Sequence, residues 1–473
     1  MKGLPMSAAR ALGGFLVVLG LAACSTSKPP ETVDLDLPQQ YGESQSLLEG
    51  AWRLAQPADA SERGEWWTAF GDPDLNALIG QAKAANPGLA IALARVKQAR
   101  AAAGLADADR ALHLDAGISP TRQGGFGGPD TTQWRAQVSF SYEVDLFGRL
   151  SDASRAAQLD ADGQMAAYRS VLLVLQADVA QQYFAIRSLD SELDVLQKTI
   201  GLRQEALHLT QRRYEAGDTS ELDVAQASTE LANTQAEAEG VQRSRSLRDH
   251  ALAVLLGKAP AQFTLPPALL AAATISVPPG LPSELLQRRP DIAQAQRQMA
   301  AASARIGAAK AAFFPSLVLT GSGGYASDEL RDLFRWSSRS WLLGPFLGTA
   351  LNMPLLDGGR NKANLAFADA DYQALASNYR QQVLIGFQDV EDSLSVLRTL
   401  DQQVRFENDA VQSAGKATHL AQARYRNGSA SYLEVIDAQR SSLAAQRAQT
   451  QILGQRAGAS VGLIRALGGA WSI

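Results

Sequence analysis

The chain has 473 residues, a formal net charge of -4, 19% charged and 7% aromatic residues, four histidines and one cysteine. No Lys/Arg run suggests a nucleic-acid partner, and a single cysteine can form neither an internal disulfide nor a thiolate metal site. Scarce aromatics with abundant alanine favour long helices over a β-sandwich.

Residues 1–23 read as a secretory signal peptide, because Lys2 and Arg10 precede an apolar stretch from Ala11 to Ala23 that is too short to span a bilayer. The sequence Leu21-Ala22-Ala23-Cys24 matches the bacterial lipobox. Cys24 is therefore expected to carry a diacylglyceryl group and an N-acyl chain such as palmitate, and to begin the mature chain. Similarity to bacterial lipoproteins implies that Ser25, following the cysteine, permits release to the outer membrane. Residues 24–50 lack helical period and read as a tether.

Helix is expected over 87–111, opened by Pro87, and strand from Leu112, where Leu112, Leu114, Ala116 and Ile118 oppose His113, Asp115, Gly117 and Ser119. After the Gly-rich stretch 121–130, residues 133–144 alternate, with Trp134, Ala136, Val138, Phe140, Tyr142 and Val144 on one face. Gln133, Arg135, Gln137, Ser139, Ser141 and Glu143 stand on the other, the period of a strand between lipid and water. A helix of about 100 Å is expected over 149–215, at about 1.5 Å per residue, closing near Gly217. Within it, Leu189, Leu193, Leu196 and Ile200 form a heptad-like seam. Further helices are expected over 221–256 and 290–312, with a strand beginning at Leu317 and Leu319. The stretch 326–345, with Phe334, Trp336 and Trp341, reads as an external loop whose aromatics suit a lipid interface. A fourth strand is expected through Leu347, Thr349, Leu351, Met353 and Leu355, then helices over 360–426 and 431–466. No segment after the signal holds about 18 uninterrupted apolar residues, so any crossing is by strands.

The chain also repeats. Gly148-Arg149 aligns with Gly359-Arg360, and the same offset of 211 carries Asp160, Tyr168, Arg187 and Asp190 onto Asp371, Tyr379, Arg398 and Asp401. It continues through His208, Tyr214, Gly217, Leu222 and Val224, which fall on His419, Tyr425, Gly428, Leu433 and Val435. Each unit runs helix, strand, strand, long helix, helix. Four strands cannot close a barrel, and an open edge in lipid is prohibitively costly, so copies must pool their strands. Two copies give eight strands filled by side chains, whereas three give twelve and a lumen.

The residues at this point resemble the TolC-like outer-membrane efflux proteins, in their lipidated OprM/NodT form. Four motifs carry the resemblance: Glu65-Trp66-Trp67 through Ile79; Arg289-Pro290-Asp291-Ile292 with Ala312-Phe313-Phe314-Pro315-Ser316; Asp145-Leu146-Phe147-Gly148-Arg149 with Leu356-Asp357-Gly358-Gly359-Arg360; and Tyr425 through Asp437. It implies an α+β fold, a long α-helical coiled-coil barrel plus a transmembrane β-barrel with four strands per protomer and twelve per trimer, built from two internal repeats. The first repeat would cover 51–288, with collar parts 51–85 and 257–288, the second 289–466, and a collar tail 467–473. The implied partners are two further copies of the chain, a periplasmic adaptor, an inner-membrane transporter and outer-membrane lipid, with no nucleic acid. The setting is the outer membrane of a Gram-negative bacterium, reaching into the periplasm. The role is passive export of small molecules such as drugs; a type I protein-secretion duct and a non-pore structural lipoprotein are the other readings. By position in the family motif, Tyr425, Leu433, Glu434 and Asp437 would form the periplasmic gate. The hairpin tips at Tyr214, Gly217, Tyr425 and Gly428 would meet the adaptor. Some relatives carry a basic residue where Ala430 stands, and many have proline where His113 stands.

An enzyme is not expected. His113, His208, His250 and His419 lack partner spacings for metal or nucleophilic chemistry, and no P-loop, GxSxG or GxGxxG stands between a strand and a helix. His208 and His419 are equivalent under the repeat, which suggests hairpin packing. No cofactor is expected beyond the acyl groups on Cys24.

Overall fold

The computed structural model describes residues 42–43, 64–124, 130–271, 288–343 and 349–469. The expected signal peptide, Cys24, nearly all of the expected tether and much of the expected collar lie outside them. Seven helices stand among the described residues: α1 (Pro73–Ala85), α2 (Pro87–Ala108), α3 (Arg149–Glu215), α4 (Glu221–Leu255), α5 (Pro290–Ala311), α6 (Arg360–Arg426) and α7 (Tyr432–Ala466). The strands are β1 (His113–Gln123), β2 (Thr131–Val144), β3 (Ser316–Ser327), β4 (Arg339–Leu343) and β5 (Thr349–Asn352). No helix of the described residues is long and apolar enough to cross a membrane. Helix lengths recur along the chain, with 67 residues in both α3 and α6, 35 in both α4 and α7, and 22 in both α2 and α5.

Local signals explain these bounds. Pro87 and Pro290 open α2 and α5, where a missing N–H costs nothing and φ is preset. Helix α3 ends in a Schellman motif: Gly217 at φ 80° donates to the Tyr214 carbonyl at 2.9 Å, and Asp218 to Arg213 at 2.8 Å. The end of α6 repeats it, with Gly428 at φ 72° donating to Tyr425 at 3.0 Å and Ser429 to Arg424 at 2.9 Å.

Residues Arg95–Met165 and Gln294–Arg380 form one compact unit. Its sheet is antiparallel in the order β1-β2-β3, with β4 and β5 both paired to β3. The register decides which side chains share a face, since directly opposed residues point the same way. Leu114, Ala116 and Ile118 face Phe140, Val138 and Ala136, and Tyr142 and Val144 face Leu319 and Leu317, giving one continuous apolar face. Asp115, Gly117 and Ser119 face Ser139, Gln137 and Arg135 on the other. Leu114, Ile118 and Val138 are exposed, so this apolar face has no covering layer among the described residues. Gly324 lets β2 and β3 approach closely, because a Cβ there would meet the Ala136 carbonyl oxygen at 2.1 Å.

Three expectations are corrected here. The stretch 326–345 is not all loop, since β3 runs to Ser327 and β4 takes Arg339–Leu343, Trp341 among them. Strand β1 begins at His113, paired with Ser141, so Leu112 lies outside the ladder. The fourth strand is divided: β4 pairs Leu343 with Gly321, whereas β5 pairs Thr349 with Leu319, a change of register by four residues. Met353 and Leu355 lie beyond the end of β5, and Leu347 lies outside the described residues.

In the same unit, Asp145 accepts from the Leu150 amide at 3.1 Å and from the Ser151 amide and hydroxyl at 2.7 and 2.6 Å, capping the start of α3. Asp357 caps α6 alike, accepting from Gly359 and Asn361 at 2.9 and 2.8 Å. Burial pushes the Asp145 carboxyl up, but the Ser151 hydroxyl and the two amides outweigh it and hold it below the usual carboxylate range. A depressed folded pKa stabilises above the unfolded value of about 3.9 and stops doing so as pH falls through the folded one. Asp145→Ala is therefore expected to cost about 1 kcal/mol at neutral pH. The gap from wild type in thermal loss of helical circular dichroism should close by about pH 2.

The remaining described residues form a second compact unit. Its core joins Trp66, Trp67, Phe70, Leu75 and Ile79 to Tyr183, Phe184 and Ile186 of α3, Leu252 of α4 and Val461 and Ile464 of α7. Helix α1 buries Leu75, Leu78, Ile79 and Ala82 and is capped by Asp72, whose carboxylate also accepts from Tyr183 at 2.5 Å. Burial and that carboxylate push the Tyr183 phenol up to about 12.

Candidate channel gate and its helical support

Of the periplasmic gate residues expected from the sequence, Leu433, Glu434 and Asp437 sit on α7 and Tyr425 near the end of α6, in the second unit. Each hairpin turns through one short connection, residues 216–220 and 427–431, and each second helix begins with a capping box. In the first, Ser220 caps Asp223 at 3.3 Å. In the second, Ser431 accepts from the Glu434 amide at 3.4 Å while the Glu434 carboxylate accepts from the Ser431 amide at 3.3 Å. Glu434 also pairs with Arg424 at 3.2 Å, so its charge is tied to the helix start and to α6.

Asp437 is 65% exposed and lies 3.8 Å from Arg440 one turn on; Leu433 is exposed. Tyr425 differs from its equivalent Tyr214. Tyr214 is exposed, whereas Tyr425 packs at a tilt against Tyr432, with ring centroids 5.4 Å apart, and lies under the Arg213 guanidinium at 5.0 Å. Its hydroxyl is buried without a hydrogen-bond partner among the described residues. The structure therefore brings Tyr425 and Glu434 into the hairpin's packing and leaves Leu433 and Asp437 outward. Tyr214, Gly217 and Gly428 stand at the turns, where nothing lies within 4 Å of a Cβ built on either glycine. His208 and His419 are both exposed, so hairpin packing does not explain them.

Charges that sequence reading missed stand deeper. Glu230 of α4 is buried between two arginines, Arg203 of α3 at 3.0 Å and Arg440 of α7 at 2.5 Å. Seven residues on, Glu237 meets Arg447 at 2.8 Å, and Arg447 also reaches the buried Glu192 at 2.8 Å. These rungs join α7 to α3 and α4, beside the packed seam of Leu193, Leu196, Val241 and Leu443. The seam was legible as a heptad pattern; the rungs were not. No group of three or more His, Cys, Asp or Glu that could hold a metal ion occurs among the described residues.

The sequence profile of the outer membrane efflux proteins matches residues 78–258 and 281–469. The chain belongs to the outer membrane efflux protein family. The outer membrane efflux proteins most similar to it include the probable outer membrane lipoprotein SilC of Salmonella typhimurium, 32% identical over 95% of this chain and 96% of that protein. The cation efflux system protein CusC of Escherichia coli K12 is 32% identical over 96% and 98%. Among solved outer membrane efflux channels, OprN superposes with a TM-score of 0.85 at 27% identity, covering 94% of this chain and 99% of that one. A structure of CusC gives 0.82 at 30% identity, covering 94% and 99%.

Proposed function

We propose that this chain is the outer-membrane exit duct of a tripartite efflux system, passing small molecules delivered by an inner-membrane pump through a periplasmic adaptor. The observation that carries this reading is the sheet: one face apolar and uncovered, the other polar, with both outer edges unpaired among the described residues. In lipid such a sheet is stable only when closed. Three copies would pool their strands into a twelve-strand barrel with a lumen, each chain contributing two repeats of one unit, and continue as a helical tunnel.

In this reading Cys24 carries the acyl anchor and residues 24–50 the tether. The first repeat covers 51–288 and the second 289–466, with collar parts from 51–85, 257–288 and 467–473. The tips at Tyr214, Gly217, Tyr425 and Gly428 meet the adaptor. The duct is passive, with no catalytic chemistry and no resident cofactor, since the driving energy is spent at the pump. Relatives are named for cations, for pyoverdine and for toluene. Such a spread fits a common conduit whose cargo is chosen by its partners.

Three copies of Glu434 and Asp437 about one axis would form acidic rings that attract cations and oppose closure. Single-channel recording in planar bilayers tests this. Wild type is expected to show small, cation-preferring conductance, and Glu434→Ala/Asp437→Ala a larger or less selective one. Unchanged channels in the variant would remove these two residues from the gate and keep the duct. Verified trimers without conductance would favour the structural lipoprotein.

A further inference from the structure

The sheet end farthest from the helices carries a segment that conduction leaves unused. Residues 328–338, between β3 and β4, with Arg339 opening β4, contain two short 3-10 turns, Leu330–Asp332 and Trp336–Ser338. The segment is internally bonded. The Asp332 amide donates to Glu329 and the Arg335 amide to Asp332, both at 3.1 Å, while the Ser338 hydroxyl donates to the Asp332 carbonyl at 2.8 Å. Leu333 is its buried centre at 1% exposure, yet Phe334 and Trp336 are 66% and 72% exposed, with Leu330 outward beside them. An ordered segment that shows its larger apolar side chains to the outside is built for something other than water.

The register shows which side of the sheet it serves. Phe334 packs edge-on against Tyr325, with centroids 5.7 Å apart. Tyr325 opposes Ala136 and so stands on the apolar face with Val138 and Phe140. Phe334 therefore lies with the apolar face, and Arg339, which opposes Tyr325 and lies against the Trp336 ring, brings Trp336 to the same side.

The charges differ in their commitments. Arg331 pairs with Glu329 at 2.5 Å and Arg335 with Asp332 at 3.0 Å. Arg339 has no carboxylate partner among the described residues. Its guanidinium lies 3.5 Å from the centre of the Trp336 ring, and its Nε donates to the Trp336 carbonyl at 2.7 Å. The contact fixes the plane of the fork, leaving its two terminal amino groups to donate together. That geometry matches phosphate oxygens better than a mobile lysine would.

We propose that residues 328–339 are a lipid anchor, in which Leu330, Phe334 and Trp336 enter the acyl boundary and Arg339 binds the phosphate of a phosphorylated glycolipid headgroup. The proposal rests on the channel reading, which places this end of the sheet in the outer leaflet, where such glycolipids are found. The full-length protein would be reconstituted in phosphatidylcholine nanodiscs containing diphosphoryl lipid A. After detergent exchange, retained lipid A would be counted by native mass spectrometry. Arg339→Ala is expected to lower retention about tenfold, and Arg339→Lys, which keeps the charge without the stacked fork, to recover only part of it. Equal retention in wild type and Arg339→Ala overturns the site, equal retention of dephosphorylated lipid A overturns the phosphate contact, and displacement by phosphatidylglycerol overturns the glycolipid. Conductance of the same samples separates the two readings: variants that conduct like wild type yet retain lipid equally sink only the anchor, whereas a wild type that never conducts sinks the channel.

Discussion

Asp190→Ala should destabilise the protein by about 1.5–3 kcal/mol, because it removes the buried carboxylate shared by Arg187 and Arg245, which keep only Asp74 and Asp249 as partners. The Asp190 side chain is 3% exposed and holds Arg245 at 2.5 Å and Arg187 at 3.4 Å, while also accepting from the Ala268 amide at 3.1 Å. Arg187 and Arg245 in turn donate to the Pro266 and Leu265 carbonyls, each at 2.6 Å. One carboxylate thus ties α3, α4 and the strap 265–268 together. The repeat supplies an internal control. Asp401 and Arg456 occupy the corresponding positions and pair at 2.6 Å, but Asp401 is 49% exposed. Asp401→Ala should cost less than about 1 kcal/mol, as solvent screens the pair and rehydrates the survivor. Thermal loss of helical circular dichroism for the two variants checks the contrast; equal shifts would mean that burial does not set the cost.

The second large effect is expected at Glu230. Its carboxylate lies between Arg203 and Arg440, and Arg203 is itself buried, donating to the Glu230 carbonyl at 2.7 Å and to Thr234. Glu230→Leu removes the only carboxylate paired with Arg203 among the described residues and should cost about 3–5 kcal/mol. Arg440→Ala leaves Glu230 paired with Arg203, and Arg440 is 56% exposed, so a loss below about 1 kcal/mol is expected. Because Glu230 links α7 to α3 and α4, Glu230→Leu should also raise single-channel conductance by loosening the hairpin that bears Glu434 and Asp437. A destabilised protein with wild-type conductance would confine Glu230 to a structural role.

The sequence revealed most where a signal is local. Proline at helix starts, Ser220 and Ser431 ahead of their acidic partners, and glycine at 217 and 428 act within one turn, and the helix bounds fell within three residues of expectation. The alternation of β2 likewise predicted the apolar face. The divided fourth strand was not legible, because its register depends on β3 and not on its own residues. The rung at Glu230 was hidden for a related reason: under the offset of 211, Ala414, Ser441 and Thr229 stand opposite Arg203, Glu230 and Arg440, so the repeat gives no hint of a triad. Nor does spelling distinguish the Asp190 and Asp401 pairs, whose difference is only depth. At the second hairpin, motif matching found the turn but could not show that Glu434 is committed to a capping box and to Arg424.

The two margins of the sheet, unpaired among the described residues, carry a consequence for the newly made chain. Every residue of β1 is exposed, and its outer edge offers a row of free backbone donors and acceptors to any extended segment it meets. If three copies pool their strands as proposed, the lone chain is until then a template for its own aggregation. Its yield should therefore depend on how quickly the edges find each other, and on escorts that shield them in transit, as much as on the depth of the folded minimum.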